Sequence, residues 1–134
     1  KEIQRTLKKG GKIVMVEPYN SLWGRFIYKN FHHEDFDPDA GWKIKGQRRM
    51  SDANIALPWI VFKRDKHIFA SKFPNLRIVS INAHTPIAYL LSGGLSKKQL
   101  LPGFFYRLVK WVEKIFSPVS PLTGMFATII IEKC

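Results

Sequence analysis

The sequence predicts an α/β layer structure around one core, and three observations predict it. Residues 13–16 (Ile-Val-Met-Val) and 76–81 (Leu-Arg-Ile-Val-Ser-Ile) are short runs rich in β-branched side chains, and 125–131 is a longer apolar run. Between them lie segments whose apolar residues recur at helical spacing, so the order is helix, strand, helices, strand, helices, strand. The chain has 134 residues, 46% of them apolar, with ten Phe and four Trp. That is enough for one domain with a real core, too short for two ordinary ones, and too apolar for disorder.

Each element has its own local warrant. Ile3 and Leu7, with Arg5, Lys8 and Lys9, read as the last turns of an amphipathic helix. The basic charges complement its C-terminal dipole, and Gly10–Gly11 supply a left-handed stop. Residues 13–16, bounded by that turn and by Pro18, read as a strand buried on both faces, as parallel sheets require. Ser21 caps a helix over 21–31, with Leu22, Trp23, Phe26, Ile27 and Phe31 at helical spacing. Residues 32–57 are irregular, opening HHEDFDPDAGW and continuing through the basic KIKGQRR. Residues 58–73 read as one helix, with Pro58 in its first turn and Phe73–Pro74 as its exit. After the second strand, Thr85–Pro86 caps a short helix that Gly93–Gly94 ends. Ser96-Lys-Lys-Gln99 is a capping box opening a segment that runs past Pro102 to Phe116. Within it Phe104, Phe105, Leu108, Trp111, Val112, Ile115 and Phe116 fall on one broad side, and Arg107, Lys110 and Lys114 on the other. Core packing with a solvated basic face is the first reading; a membrane-surface helix with aromatic anchors is the second.

Twenty-two Lys and Arg against ten Asp and Glu give a net charge of +12, which favours acidic partners: nucleic acid, an anionic membrane surface or phosphorylated substrates. The single cysteine, Cys134, excludes an internal disulfide and a Cys-based zinc site, reads as inert, and fits a cytoplasmic setting. The long uncharged stretches 78–96 and 115–131 are broken by polar residues, Pro and Gly, so neither reads as a transmembrane helix.

LKKGG followed by KIVMVEP resembles the segment R-x-L-K-P-G-G-x-(apolar run)-x-E/D-P of class I S-adenosylmethionine-dependent methyltransferases, with Lys9 standing where Pro is usual. The resemblance implies a Rossmann-like sheet of which this chain supplies the last three strands, with flanking helices. The strand at 127–133 would be the antiparallel one, central between 12–17 and 76–82. HHEDFDP, ALPWIVFKRD and YLLSGGLS further resemble a bacterial branch associated with polysaccharide and lipid synthesis. The likeness covers nearly the whole chain. The family's glycine-rich loop after the first strand and acidic residue after the second have no counterpart here, since the only Gly-Gly pairs lie at helix ends. The resemblance therefore implies that residues 1–134 are the C-terminal, acceptor-binding portion of one methyltransferase domain. The cofactor-binding half would precede Lys1, with S-adenosylmethionine bound only by the intact protein and this portion inactive alone.

In open α/β sheets ligands bind beyond the carboxyl ends of the parallel strands, which puts Glu17, Tyr19 and Asn20 in the expected pocket. His32, His33, Glu34, Asp35 and Asp37 form the densest cluster of chemically able side chains. Methyl transfer to oxygen needs a base, and imidazole is tuned for that near neutrality, so His32, His33 and Glu34 are the catalytic candidates and Asp35 and Asp37 line the pocket, with a structural or substrate-orienting polar loop as the other reading of the cluster. Metal binding is disfavoured because neighbouring His side chains point apart on a regular backbone and no His-x-x-x-His spacing occurs. His84, leaving the second strand, is a further pocket candidate, with turn packing as its blander role. His67 and the run Lys43, Lys45, Arg48, Arg49 read as solvated. The expected acceptor is a sugar or lipid-linked glycan, with an anionic membrane surface, reached at the inner face of the membrane, kept as a partner. A basic RNA-binding module or a peripheral membrane-binding domain is the competing reading. The strand at 12–17, with an open edge and no interior charge, is expected to drive self-association.

Overall fold

The order of the strands in space follows from which of them can be paired on both sides. The computed structural model describes residues 2–43, 54–94 and 98–134. Helix α1 (Glu2–Thr6) ends before the expected Gly10–Gly11 stop; Gly10, at φ 74°, lies instead in the turn that leads into the first strand, where a side chain would be strained. Strand β1 (Lys12–Pro18) follows, and Ser21 then accepts the Gly24 N–H at 2.8 Å to cap α2 (Leu22–Phe31). The expected single helix over 58–73 is instead three pieces. These are α3 (Leu57–Trp59), a π turn (Ile60–Arg64) closed by the Asp65 N–H on the Ile60 carbonyl at 2.8 Å, and α4 (Lys66–Lys72). The interruption lies where Asp65 takes a 2.8 Å hydrogen bond from Trp42 Nε1 and pairs with Arg64, an arrangement that wide turns accommodate. Arg64 and the Trp42 N–H hold the Asp65 carboxyl down at about 2.

Strand β2 (Leu76–His84) is followed by α5 (Ala88–Leu91), a 3₁₀ turn (Gly103–Phe105), α6 (Tyr106–Ile115), a second 3₁₀ turn (Ser117–Val119), α7 (Ser120–Thr123) and β3 (Phe126–Lys133). The proposed capping box at 96–99 and the basic residues Lys45, Arg48 and Arg49 lie wholly or partly outside the described residues. Pro102 is extended (ψ 149°), so the helix begins afresh after it rather than running through it.

The three-stranded sheet has the order β1-β3-β2, with β3 antiparallel to both neighbours. Lys12 stands opposite Glu132 and Pro18 opposite Phe126 on one side. Arg77 opposes Glu132 and His84 opposes Phe126 on the other, with a bulge between Ile78 and Ser80. β1 and β2 are thus parallel to each other, and the strand with the most apolar sequence is central, as expected. One sheet face carries Met15, Ile78, Ile81, Ala127, Ile129 and Ile131 under Trp59, Phe62, Phe69 and Phe73. A second cluster joins Ile27, Tyr28, Phe36, Ala56, Ile60 and Met125 at the end of the sheet.

Burial on both faces of β1, expected from its sequence, is not what the structure has. Val14 is 63% and Val16 59% exposed. β1 is an edge strand with an antiparallel neighbour, and such strands alternate between a covered and an open face. Likewise Leu22, Phe26 and Phe31 of α2 are exposed, and Gly24, Ile27 and Tyr28 form its buried face. Among the described residues no helix is long and apolar enough to cross a membrane.

Candidate functional site

Because β1 and β2 run parallel, their carboxyl ends share one end of the sheet, where connecting loops converge. β2 ends there in His84. Its Nε2 lies 2.9 Å from Thr128 Oγ1 on β3, and its Nδ1 lies 2.6 Å from Thr85 Oγ1. Thr85 sits at φ 54°, a backbone region that β-branched residues seldom occupy. Strain of this kind persists only where surrounding contacts enforce it and concentrates at functional sites. Gly124 is part of that enforcement: a Cβ there would stand 2.8 Å from the His84 nitrogen.

Helix α6 contributes the charged groups. Glu113 is buried, and its Oε1 accepts the N–H groups of Ile87 (3.0 Å) and Ala88 (2.7 Å). Its Oε2 accepts from Lys110 Nζ at 2.7 Å. Burial disfavours the ionised carboxylate, but the Ala88 N–H, the Lys110 ammonium and the Ile87 N–H together outweigh it and leave its pKa below the ordinary range. Glu113 thereby does for α5 what Thr85 was expected to do; no side chain at the N-cap itself bonds the helix. Burial, and then the Lys110 charge, lower the pKa of His84, with Glu113 acting the other way.

Two clefts flank this group. One, of about 330 Å³, is lined by His84, Thr85, Pro86, Lys110, Glu113 and Phe116 among others. The other, of about 320 Å³, lies over the open sheet face between Val16, His84, Tyr89, Tyr106, Lys110 and Phe126. Each cleft combines an apolar floor with a cation and a neutral imidazole, which suits a partly apolar ligand carrying hydroxyl or anionic groups.

The second cluster lies where α2 ends. His32 is the C-cap of α2 in extended conformation, so the regular-backbone argument fails there. The rings of His32 and His33 stack at 4.7 Å rather than pointing apart. His32 Nδ1 accepts the Glu34 N–H at 3.1 Å, and burial, followed by the neighbouring His33, lowers its pKa. His33 is exposed, with Nε2 at 4.0 Å from Glu34 Oε1. Tyr28 connects this cluster to the sheet end: its ring meets His32 edge-on at 5.9 Å and Phe126 at 6.5 Å, and Tyr28 Oη donates to the Met125 carbonyl at 2.6 Å. Among the described residues no hydrogen bond or ring contact joins His32 or His33 directly to His84.

The remaining expected pocket residues divide by role. Tyr19 is buried in the core with Phe69 and Ala127. Glu17 lies on the covered sheet face opposite Ala127, half-buried and without a hydrogen-bond partner among the described residues; burial raises its pKa. Asn20 Oδ1 accepts from Arg25 Nε at 3.0 Å. Asp35 is exposed, and its carbonyl takes the Ile55 N–H at 3.1 Å. Asp37 is clasped to Asn54: its N–H donates to Asn54 Oδ1 at 3.0 Å and its carbonyl accepts from Asn54 Nδ2 at 2.7 Å. Among the described residues no three His, Cys, Asp or Glu side chains are grouped to hold a metal ion. Thr85, Lys110 and Glu113 were not singled out from sequence as site residues. A signal for Glu113 existed, since it is the only carboxylate between residues 66 and 131.

Comparison with family models, with curated proteins and with solved structures gave no match.

Proposed function

We propose that this chain is the acceptor-binding part of an S-adenosylmethionine-dependent methyltransferase acting on a sugar or lipid-linked glycan at the cytoplasmic face of the membrane. The observation that carries the reading is the sheet. A reversed strand sits between two parallel ones, and the segment LKKGGKIVMVEP forms the turn and strand β1 leading into it. The described residues do not fit the methyl donor. Neither β1 nor β2 is followed by a glycine turn: of the positive-φ glycines, Gly10 lies in the turn before β1 and Gly93 follows the end of α5. The donor is therefore assigned to a part of the protein other than these residues, and no step is routed through it.

What these residues offer is acceptor binding and proton handling. The two clefts beside His84 take the glycan, with Lys110 positioned for an anionic or hydroxyl group. An imidazole whose Nδ1 accepts a backbone N–H carries its proton on Nε2 when neutral, so His32 is a donor that orients an acceptor oxygen. For an acceptor long enough to extend from these clefts past Tyr28 to the end of α2, His33 is the base, and Glu34 stabilises the imidazolium formed when it takes the acceptor's proton.

The test uses the full gene product, assayed for transfer of labelled methyl from S-adenosylmethionine to lipid-linked saccharide. His33→Ala is expected to lower turnover on the order of a hundredfold with cofactor affinity unchanged. His32→Ala should chiefly raise the acceptor KM. Absence of methyl transfer to any saccharide acceptor would refute the reading.

A further inference from the structure

Helix α6 is oriented against its own sequence pattern. Phe104, Leu108, Trp111 and Ile115 recur at i, i+4, i+7 and i+11, which places them on one stripe. In a helix packed by its apolar side this stripe would be inward. Here Leu108, Trp111 and Ile115 of α6 are 55%, 61% and 55% exposed, and Phe104, in the 3₁₀ turn ahead of the helix, is 76% exposed. The side that packs on the protein carries Glu113 instead, which the Ile87 and Ala88 N–H groups and Lys110 hold in place. A buried carboxylate opposite an open aromatic stripe fixes the helix in this orientation.

The charges around the stripe define what would cover it. Arg107 and Lys114 flank it on one side and have no acidic partner among the described residues. The only carboxylate from residue 98 to residue 131 is Glu113, and it is turned inward. The pattern repeats next door. α2 exposes Leu22 and Phe26 beside Arg25 and Lys29, and α2 packs beside α7, where Leu122 is exposed, as is Val119 in the 3₁₀ turn just before it. Neighbouring elements therefore present apolar and aromatic groups edged by cations, and the acidic residues of the segment 34–39 lie only beyond the C-terminal end of α2.

We infer that the α6 stripe, continued by the 117–123 turn and α2, is a docking surface for an anionic lipid bilayer. Trp111, Phe104 and Leu108 enter the headgroup–acyl boundary, and Arg107 and Lys114 meet the lipid phosphates. A protein partner would need an acidic groove matched to a convex helix, whereas a bilayer supplies negative charge and apolar depth at any point of contact. The inference does not depend on the methyltransferase reading, because it concerns only this surface and its charge.

The 134-residue chain is tested by co-sedimentation with vesicles of phosphatidylglycerol mixed with phosphatidylcholine, against vesicles of phosphatidylcholine alone. Partition is expected into the anionic vesicles only and is expected to fall as salt is raised. Arg107→Glu with Lys114→Glu, and separately Leu108→Ser with Trp111→Ser, should each lower the partition constant about tenfold or more. All four side chains are exposed, so the thermal unfolding midpoint of each variant should match the parent, which separates lost docking from lost folding. Failure to partition into anionic vesicles overturns the inference. So does partition that both double variants leave unchanged. Concentration-dependent association abolished by Leu108→Ser/Trp111→Ser, without vesicle binding, would assign the stripe to a second copy of the chain and overturn it equally.

Discussion

His84 shows how one side chain ties acidity to integrity at this site. Its folded pKa is lowered, burial being the first cause and Lys110 the second. The unfolded chain, with the ordinary value near 6.5, therefore binds more protons than the folded one in the window just below that value. Stability rises with pH across this window, so acidification from pH 7 toward 5 is expected to destabilise the fold. His32 acts with the same sign. His84→Gln, which keeps polar contact with Thr128 and cannot titrate, should flatten the slope of unfolding free energy against pH over that range. Equal slopes in denaturant titrations of the two proteins would mean that His84 is not coupled to folding. The chemical ability of His32 and His33 was legible in the sequence, whereas their stacking was not. Side-chain direction at a helix end depends on whether the backbone leaves in an extended conformation, and composition does not encode that.

At the scale of elements, α6 separates what periodicity can say from what it cannot. Spacing put Phe104, Phe105, Leu108, Trp111, Val112, Ile115 and Phe116 on one broad side with core packing as the first reading, and the structure instead leaves all of these but the half-buried Val112 exposed. Spacing does not identify which side faces inward; that is set by Glu113 reaching the bare N–H groups of α5. Glu113→Ala should leave those two donors unmet and free Lys110, costing on the order of 1–3 kcal/mol in urea unfolding. Faster amide exchange at Ala88 than at the β3 amides is expected to accompany it. The split of the 58–73 helix was illegible for a similar reason. The π turn accompanies contacts from Trp42 and Pro38 to Asp65 and Arg64, both distant in sequence. Strand order was the most legible feature: the resemblance implied a central third strand, and the run at 125–131 is the longest apolar one of the three, as a strand paired on both sides requires.

For the whole molecule, β1 is the exposed margin of the sheet among the described residues, with Val14 and Val16 open to solvent. Edges of this kind template pairing between chains. The chain is expected to self-associate as its concentration rises, and Val14→Lys with Val16→Lys should shift light scattering toward monomer while leaving Leu108→Ser/Trp111→Ser without that effect. Strict monomers of the parent at high concentration would refute this. The position of β3 also has a consequence in time. The strand that both others need is the last to be synthesised, and Lys12 must wait for Glu132. Until then residues 12–18 and 76–84 have no strand partner among the described residues, and α1 lacks Lys133, whose ammonium holds the Gln4 and Leu7 carbonyls at 2.8 Å. Pairing within this sheet is thus postponed until residues 126–133 have been made, with two strands awaiting their common neighbour meanwhile. Refolding in vitro should be correspondingly slow, roughly milliseconds to seconds as for other non-local sheets. A chain stopped at Met125 should show no strand signal by circular dichroism, however long it is given.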